Sequence, residues 1–88
     1  MTIRITNLDR NLIESDLQRL FTPYGEIHTV RIDRDHLNNR SHGRAFIDMP
    51  VQKEAQQAIL NLNGVLLGGK HIEVSSVAYS SEKRNFYS

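Results

Sequence analysis

The chain has 88 residues, 39% of them hydrophobic and 24% charged, which favours one small domain with a modest core and excludes wholesale disorder. It contains no cysteine, so disulfides, thiolate metal sites, cysteine nucleophiles and a copper-chaperone Cys-x-x-Cys are all excluded. Lys plus Arg number 11 and Asp plus Glu 10, a formal net charge of +1, so any partner must be read from how charge is distributed rather than from its total.

The opening residues, MTIRITNL, lack the apolar run of a signal peptide. "TIRIT", residues 2–6, alternates with period two, Ile3 and Ile5 inward and Arg4 and Thr6 outward, as in a half-buried strand. "NLDRN" turns, and Asn11 with Glu14 three residues on is expected to cap a helix. Ile13, Leu17, Leu20, Phe21 and Tyr24 form its apolar stripe, and Pro23 and Gly25 close it. A second strand is expected from about Ile27 to Asp33, with Val30 and Ile32 inward and Arg31 and Asp33 outward. "RDHLNNRSH" follows as a polar loop.

"HGRAFIDM", residues 42–49, is the third strand, with Ala45, Ile47 and Met49 inward. Pro50 suits the first turn of a second helix. Its buried stripe is Val51, Ala55, Ala58, Ile59 and Leu62, and "NG" at 63 and 64 ends it. "GG" at 68 and 69 marks a tight turn. "HIEVSSV" is the last strand, with Ile72 and Val74 inward and Glu73 and Ser75 outward. The tail, "AYSSEKRNFYS", shows no periodicity.

The order β-α-β-β-α-β predicts an α+β domain: a ferredoxin-like sandwich with a four-stranded antiparallel sheet and two helices on one face. Residues 1–78 are expected to form the domain and 79–88 a flexible tail. No stretch approaches the length of a transmembrane helix, so a soluble, cytoplasmic protein with no membrane partner is expected.

The third strand poses a question. Its outward set is Arg44, Phe46 and Asp48, a large aromatic ring on a charged face. Fold alone does not answer it, but the strands narrow the choice. The octamer of the RNA recognition motif runs K/R-G-F/Y-G/A-F-V-x-F/Y, and His42-Gly43-Arg44-Ala45-Phe46-Ile47-Asp48-Met49 resembles it. The first strand, Ile3-Arg4-Ile5-Thr6-Asn7-Leu8, resembles the family's hexamer, an aliphatic–aromatic–aliphatic–x–Asn–Leu pattern. "LQRLFTPYGEI" and "AQQAILNLNGVLLGGKHIEV" are similar to the family's helices with their flanking segments. The resemblance covers roughly residues 2–77, in a layout similar to that of short, single-domain bacterial members.

That resemblance implies single-stranded RNA as partner, bound on the open sheet face without catalysis or cofactor. Aromatic rings on the two central strands of such domains stack bases, and Phe46 matches one stacking position. The chain also departs from the family. Arg4 and Arg44 occupy the two other aromatic positions, and His42 stands where a Lys or Arg is usual. Arginine still stacks on bases and reaches phosphate, so the substitutions shift the balance from stacking toward electrostatics and a steeper salt dependence. The resemblance and the outward pattern give the candidate RNA-binding residues: Arg4, Thr6, Asn7, Arg31, Arg40, His42, Arg44, Phe46, Asp48, Glu73, Ser75 and Tyr79.

Simpler readings stand beside these. Arg4, Arg31 and Arg44 share the face with Asp33, Asp48 and Glu73, a set that can close into a salt-bridge ladder. Arg34, Arg40 and His42 either track an RNA backbone or belong to an ordinary polar loop. His28, His36, His42 and His71 have no metal-ligand spacing. "NRS" at 39–41 fits a glycosylation sequon that an intracellular chain would not use, and "GGK" at 68–70 is a hairpin turn without the rest of a phosphate loop. Tyr79, Phe86 and Tyr87 in the tail are rings for RNA, for Phe46, for a second copy, or for solvent.

Two other functions compete. Depleted stacking positions and near-neutral charge suit a protein-interaction module of the same family with a degenerate RNA site, and a protein partner then replaces or joins RNA. An enzyme related to acylphosphatases shares the topology, and Asn7 and Arg10 lie near the first loop, but the glycine-bearing phosphate cradle is missing. A monomer is favoured.

Overall fold

The computed structural model describes residues 1–38 and 41–77. In chain order the elements are β1 (Thr2–Thr6), α1 (Glu14–Phe21), a 3-10 turn (Thr22–Tyr24), β2 (Thr29–Arg34), β3 (Ser41–Asp48), α2 (Gln52–Leu62), β4 (Leu66–Leu67), β5 (Lys70–His71) and β6 (Glu73–Ser76). β2, β3, β1 and β6 form one sheet in that spatial order, every neighbouring pair antiparallel. β4 and β5 form a separate hairpin.

Alternation in the strands sends one set of side chains to a single face. Ile3, Ile5, Ile32, Ala45, Ile47 and Val74 are buried there. Leu17 and Phe21 of α1, with Ala55, Ala58 and Leu62 of α2, join them in one core. Both helices therefore cover the same side of the sheet, and among the described residues no element covers the opposite side. Small residues at 55 and 58 let α2 approach closely while Phe21 fills the volume beneath α1. Burying a side chain of that size contributes about 1.5–3 kcal/mol. The α+β sandwich inferred from the sequence is the observed fold.

Several local expectations are corrected. The N-cap of α1 is Ile13, extended at φ −120° and ψ 174°, and not Asn11. The Asp16 carboxylate accepts the Ile13 N–H at 2.9 Å, so Asp16 supplies the reaching carboxylate of the box, and not Glu14. Asn11 is engaged elsewhere, its N–H donating to Asp9 Oδ1 at 2.8 Å. Because Ile13 precedes the helix it leaves the apolar stripe and is 51% exposed. Val51 likewise sits at the N-cap of α2 and is exposed, and Pro50 lies one residue before it, outside the first turn. β2 begins at Thr29 rather than Ile27. His71 belongs to the small hairpin, paired with Leu66, so the last sheet strand begins at Glu73.

Asparagines tie the second half together. Asn63 Oδ1 accepts the Val74 N–H at 3.0 Å, joining the end of α2 to β6. Asn7 adopts a left-handed φ of 61°, a conformation its short amide tolerates, and its Nδ2 donates to the His71 carbonyl at 2.8 Å. Gly25 at φ +151° ends the 3-10 turn, and a Cβ there would meet the Glu54 side chain, whose Oε1 accepts the Glu26 N–H at 3.0 Å.

Candidate nucleic-acid interface

The open face is organised in rows across the strands. Register places Arg31 of β2 opposite Phe46 of β3, Phe46 opposite Arg4 of β1, and Arg4 opposite Ser75 of β6. The central row is therefore Arg31–Phe46–Arg4–Ser75. On one side Thr29, Asp48 and Thr2 are aligned. On the other, Asp33 and Arg44 face each other across β2 and β3, and Thr6 is aligned with Glu73.

The β2–β3 ladder is irregular beside Asp33: Ile32 pairs with Ala45 but Arg34 pairs with Ser41. Three residues of β3, 42–44, thus lie against the single residue 33. Gly43 takes φ +78° within this bulge, and a Cβ on it would press on the Leu8 carbonyl at 3.3 Å. The bulge re-aims the chain, and Arg44 Nη2 donates to Asp33 Oδ2 at 2.8 Å.

The arginines divide on this face. Arg44 is held by Asp33. Arg34, at the end of β2, is held by Glu14 of α1 through two hydrogen bonds, Nη2 to Oε1 at 3.1 Å and Nη1 to Oε2. The hydrogen bond from Arg34 holds the Glu14 carboxyl below its ordinary range, and the same bond raises the guanidinium of Arg34. Arg34 thereby fastens the sheet edge to α1. Among the described residues no carboxylate lies within ion-pair distance of Arg4 or Arg31. Both are exposed, and the Arg31 guanidinium lies over the Phe46 ring, 5.5 Å from its centroid, within cation–π range.

The carboxylates are also accounted for. Glu73 Oε1 accepts from Thr6 Oγ1 at 3.1 Å. Asp48 Oδ2 lies 3.4 Å from His28 Nδ1, an ion pair only when that imidazole is protonated. The salt-bridge ladder is thus partial. It consumes Arg44 and leaves the two arginines that flank the aromatic ring without anionic partners among the described residues.

Arg4, Arg31, Phe46 and Ser75 are brought together in the central row, and Thr6, Arg44 and Glu73 lie beside them. Asp48 sits at the other margin, and His42 is exposed at the start of β3. Asn7 is at the end of β1 with its amide spent on the His71 carbonyl. Arg40 and Tyr79 lie outside the described residues, as do the rest of the tail and Asn39 of the sequon. His28, beside Asp48, is a member of the face that strand periodicity misses. It precedes β2, so no period-two signal marks it. Among the described residues no helix is long and apolar enough to cross a membrane.

The ring offers a π-face, and its neighbours offer two cations in reach of phosphate or of a second base. The model of the RNA recognition motif matches residues 3–73. The chain is 44% identical over 63 residues to a component of eukaryotic translation initiation factor 3 from Nematostella vectensis, an alignment covering 72% of this chain and 21% of that protein. It spans about a fifth of the length of the curated relatives it matches. Among solved structures, RNA recognition domains 1 and 2 of Sex-lethal from Drosophila melanogaster superpose with a TM-score of 0.84 at 32% identity, over 88% of this chain and 49% of that one. The Sxl-lethal protein/RNA complex gives the same TM-score and identity over 88% of this chain and 46% of that chain.

Proposed function

The chain belongs to the RNA recognition motif family, and on that premise we propose that it binds single-stranded RNA across its open sheet face. Membership in a family of binding modules makes it a non-enzymatic domain. Phe46 stacks a base. Arg4 and Arg31 supply the cations, and the groups beside them, Thr6, Ser75 and Glu73, present hydrogen-bonding atoms to base edges. Arg44 contributes only after release from Asp33. Asp48, His42, Arg40, Asn7 and Tyr79 complete the candidate set at the margins.

The observation that carries this reading is the central row: an aromatic ring on the sheet face away from the helices, flanked by two arginines with no carboxylate partner among the described residues. Two arginines at aromatic positions do not empty the site, because the planar guanidinium retains part of the stacking function. The decisive experiment is Phe46→Ala with a short mixed-sequence RNA, read by fluorescence anisotropy and by backbone-amide NMR shifts. Loss of one stacked base costs about 1–3 kcal/mol, a drop in affinity of roughly 5- to 150-fold. Unchanged affinity, with the amides of Arg4 and Phe46 unmoved by RNA in the parent protein, refutes the reading.

The relatives named as components of a translation initiation factor support a cytoplasmic setting and a protein partner alongside RNA. Retention of RNA binding by the isolated domain separates its own contribution from that of any assembly.

A further inference from the structure

The guanidinium of Arg31 and the ring of Phe46 are 5.5 Å apart. Planar groups in van der Waals contact are separated by about 3.5 Å, so a base held between two of them needs about 7 Å. A carbon-to-centroid distance of 5.5 Å is an upper limit on the separation of the two planes, so a base does not fit between them as they stand, and admitting one takes a displacement of at least about 1.5 Å at the tip of a long flexible side chain.

The surroundings allow that displacement. β2 is an edge strand of the sheet among the described residues, so no described strand flanks Arg31 on its outer side in the ladder. The neighbouring arginines are anchored, Arg34 to Glu14 and Arg44 to Asp33, whereas the Arg31 side chain has no ion pair or hydrogen bond among the described residues and lies over the ring. A concave surface lies there too, walled by Arg31, Asp33, Arg34 and Phe46. Arg4 is also beside Phe46 in register, but among the described residues Arg31 is the cation that lies over the ring.

We propose that Arg31 is a stacking cap: the base stacked on Phe46 is sandwiched from above by the Arg31 guanidinium. In the free domain Arg31 rests on the ring and keeps its face from water. When RNA binds, the guanidinium lifts and settles on the far face of the base. The cation–π contact is exchanged for a contact with the base, so the cap costs little to open. The edge strand thereby restores part of the stacking surface lost at positions 4 and 44. This inference rests on the RNA-binding reading and names a role for a β2 residue within it.

The test separates planarity from charge. Arg31→Lys keeps the positive charge and loses the flat guanidinium; Arg31→Ala loses both. Affinity for an eight-nucleotide mixed-sequence RNA is measured by anisotropy between about 50 and 200 mM salt. The cap predicts that Arg31→Lys weakens binding at least five-fold with an unchanged salt slope. Arg31→Ala weakens it at least as much. Arg31→Lys binding like the parent overturns the proposal and makes Arg31 a simple phosphate contact. Phe46→Ala in the same series keeps the two failures apart: if it leaves affinity intact, the RNA-binding reading falls; if it weakens binding while Arg31→Lys does not, only the cap falls. Arg31 is exposed, so both variants are expected to fold, and amide spectra verify it.

Discussion

Replacing Asp33 with asparagine is expected to tighten RNA binding, which is an unusual direction for a substitution at a binding face. In the parent, Arg44 Nη2 is 2.8 Å from Asp33 Oδ2, with side-chain exposures of 52% and 38%. A pair so exposed is worth about 0–1 kcal/mol, and RNA must repay that amount to recruit Arg44. The Asp33 carboxylate also repels phosphate. At ~7 Å in water-like dielectric that repulsion is about 0.6 kcal/mol, reduced further by salt. Asparagine keeps the shape and one acceptor oxygen but removes the charge. The two terms together give roughly 0.5–1.5 kcal/mol, or about 2- to 10-fold tighter binding at low salt. Arg44, once released, neutralises one more phosphate, so the log–log salt slope steepens by about 0.7. Anisotropy with an eight-nucleotide RNA across a salt series reads both quantities. Equal or weaker affinity for the variant refutes the competition: Asp33 would then be holding Arg44 in its working orientation or accepting hydrogen bonds from base amino groups.

Arg4→Ala, which removes a cation without an ion-pair partner among the described residues, is expected to weaken binding and lower the salt slope by about 0.7; an unchanged slope places Arg4 outside the phosphate path. Glu14→Gln tests the clamp between α1 and the edge strand. The Glu14 carboxyl is lowered in the folded state by Arg34, so its contribution to stability is present above the unfolded value and is lost as pH falls below it. Thermal melts should show the variant less stable than the parent at neutral pH and the gap closing below the ordinary value of 4.5; a gap that persists in acid means the ion pair is not its source. Phe21→Ala, at a fully buried core position, is expected to cost about 3–5 kcal/mol in chemical denaturation, and a cost below ~1 kcal/mol is incompatible with Phe21 filling the space under α1.

Much of the molecule was legible in its residues. Period-two alternation marks Ile3 and Ile5, Ala45 and Ile47, and Val74 as inward, and all are buried. Helical spacing marks Leu17, Phe21, Ala55, Ala58 and Leu62 in the same way. Such patterns are legible because a strand or helix must turn its apolar side toward one core. The ends of elements were less so. Ile13 and Val51 fit the apolar stripes by spacing, yet each lies at an N-cap, where extended backbone takes the side chain off the stripe. Choosing between Asn11 and Ile13 as the cap depends on which carboxylate reaches back, and Asp9 and Asp16 settle that contest through hydrogen bonds only a few residues long.

Residue pattern alone specifies the open face: which residues share it, that Phe46 is on it, and that three arginines and three carboxylates surround the ring. How those charges are spent is a property of the folded chain. The bulge opposite Asp33 brings Arg44 to a carboxylate, and α1 brings Glu14 to Arg34. Arg4 and Arg31 are left beside the ring without one among the described residues. Alternation along a strand specifies a side but not a cross-strand neighbour. Neighbours follow from register and from the approach of elements distant in sequence, and charge pairing acts over a few ångströms that local pattern does not resolve.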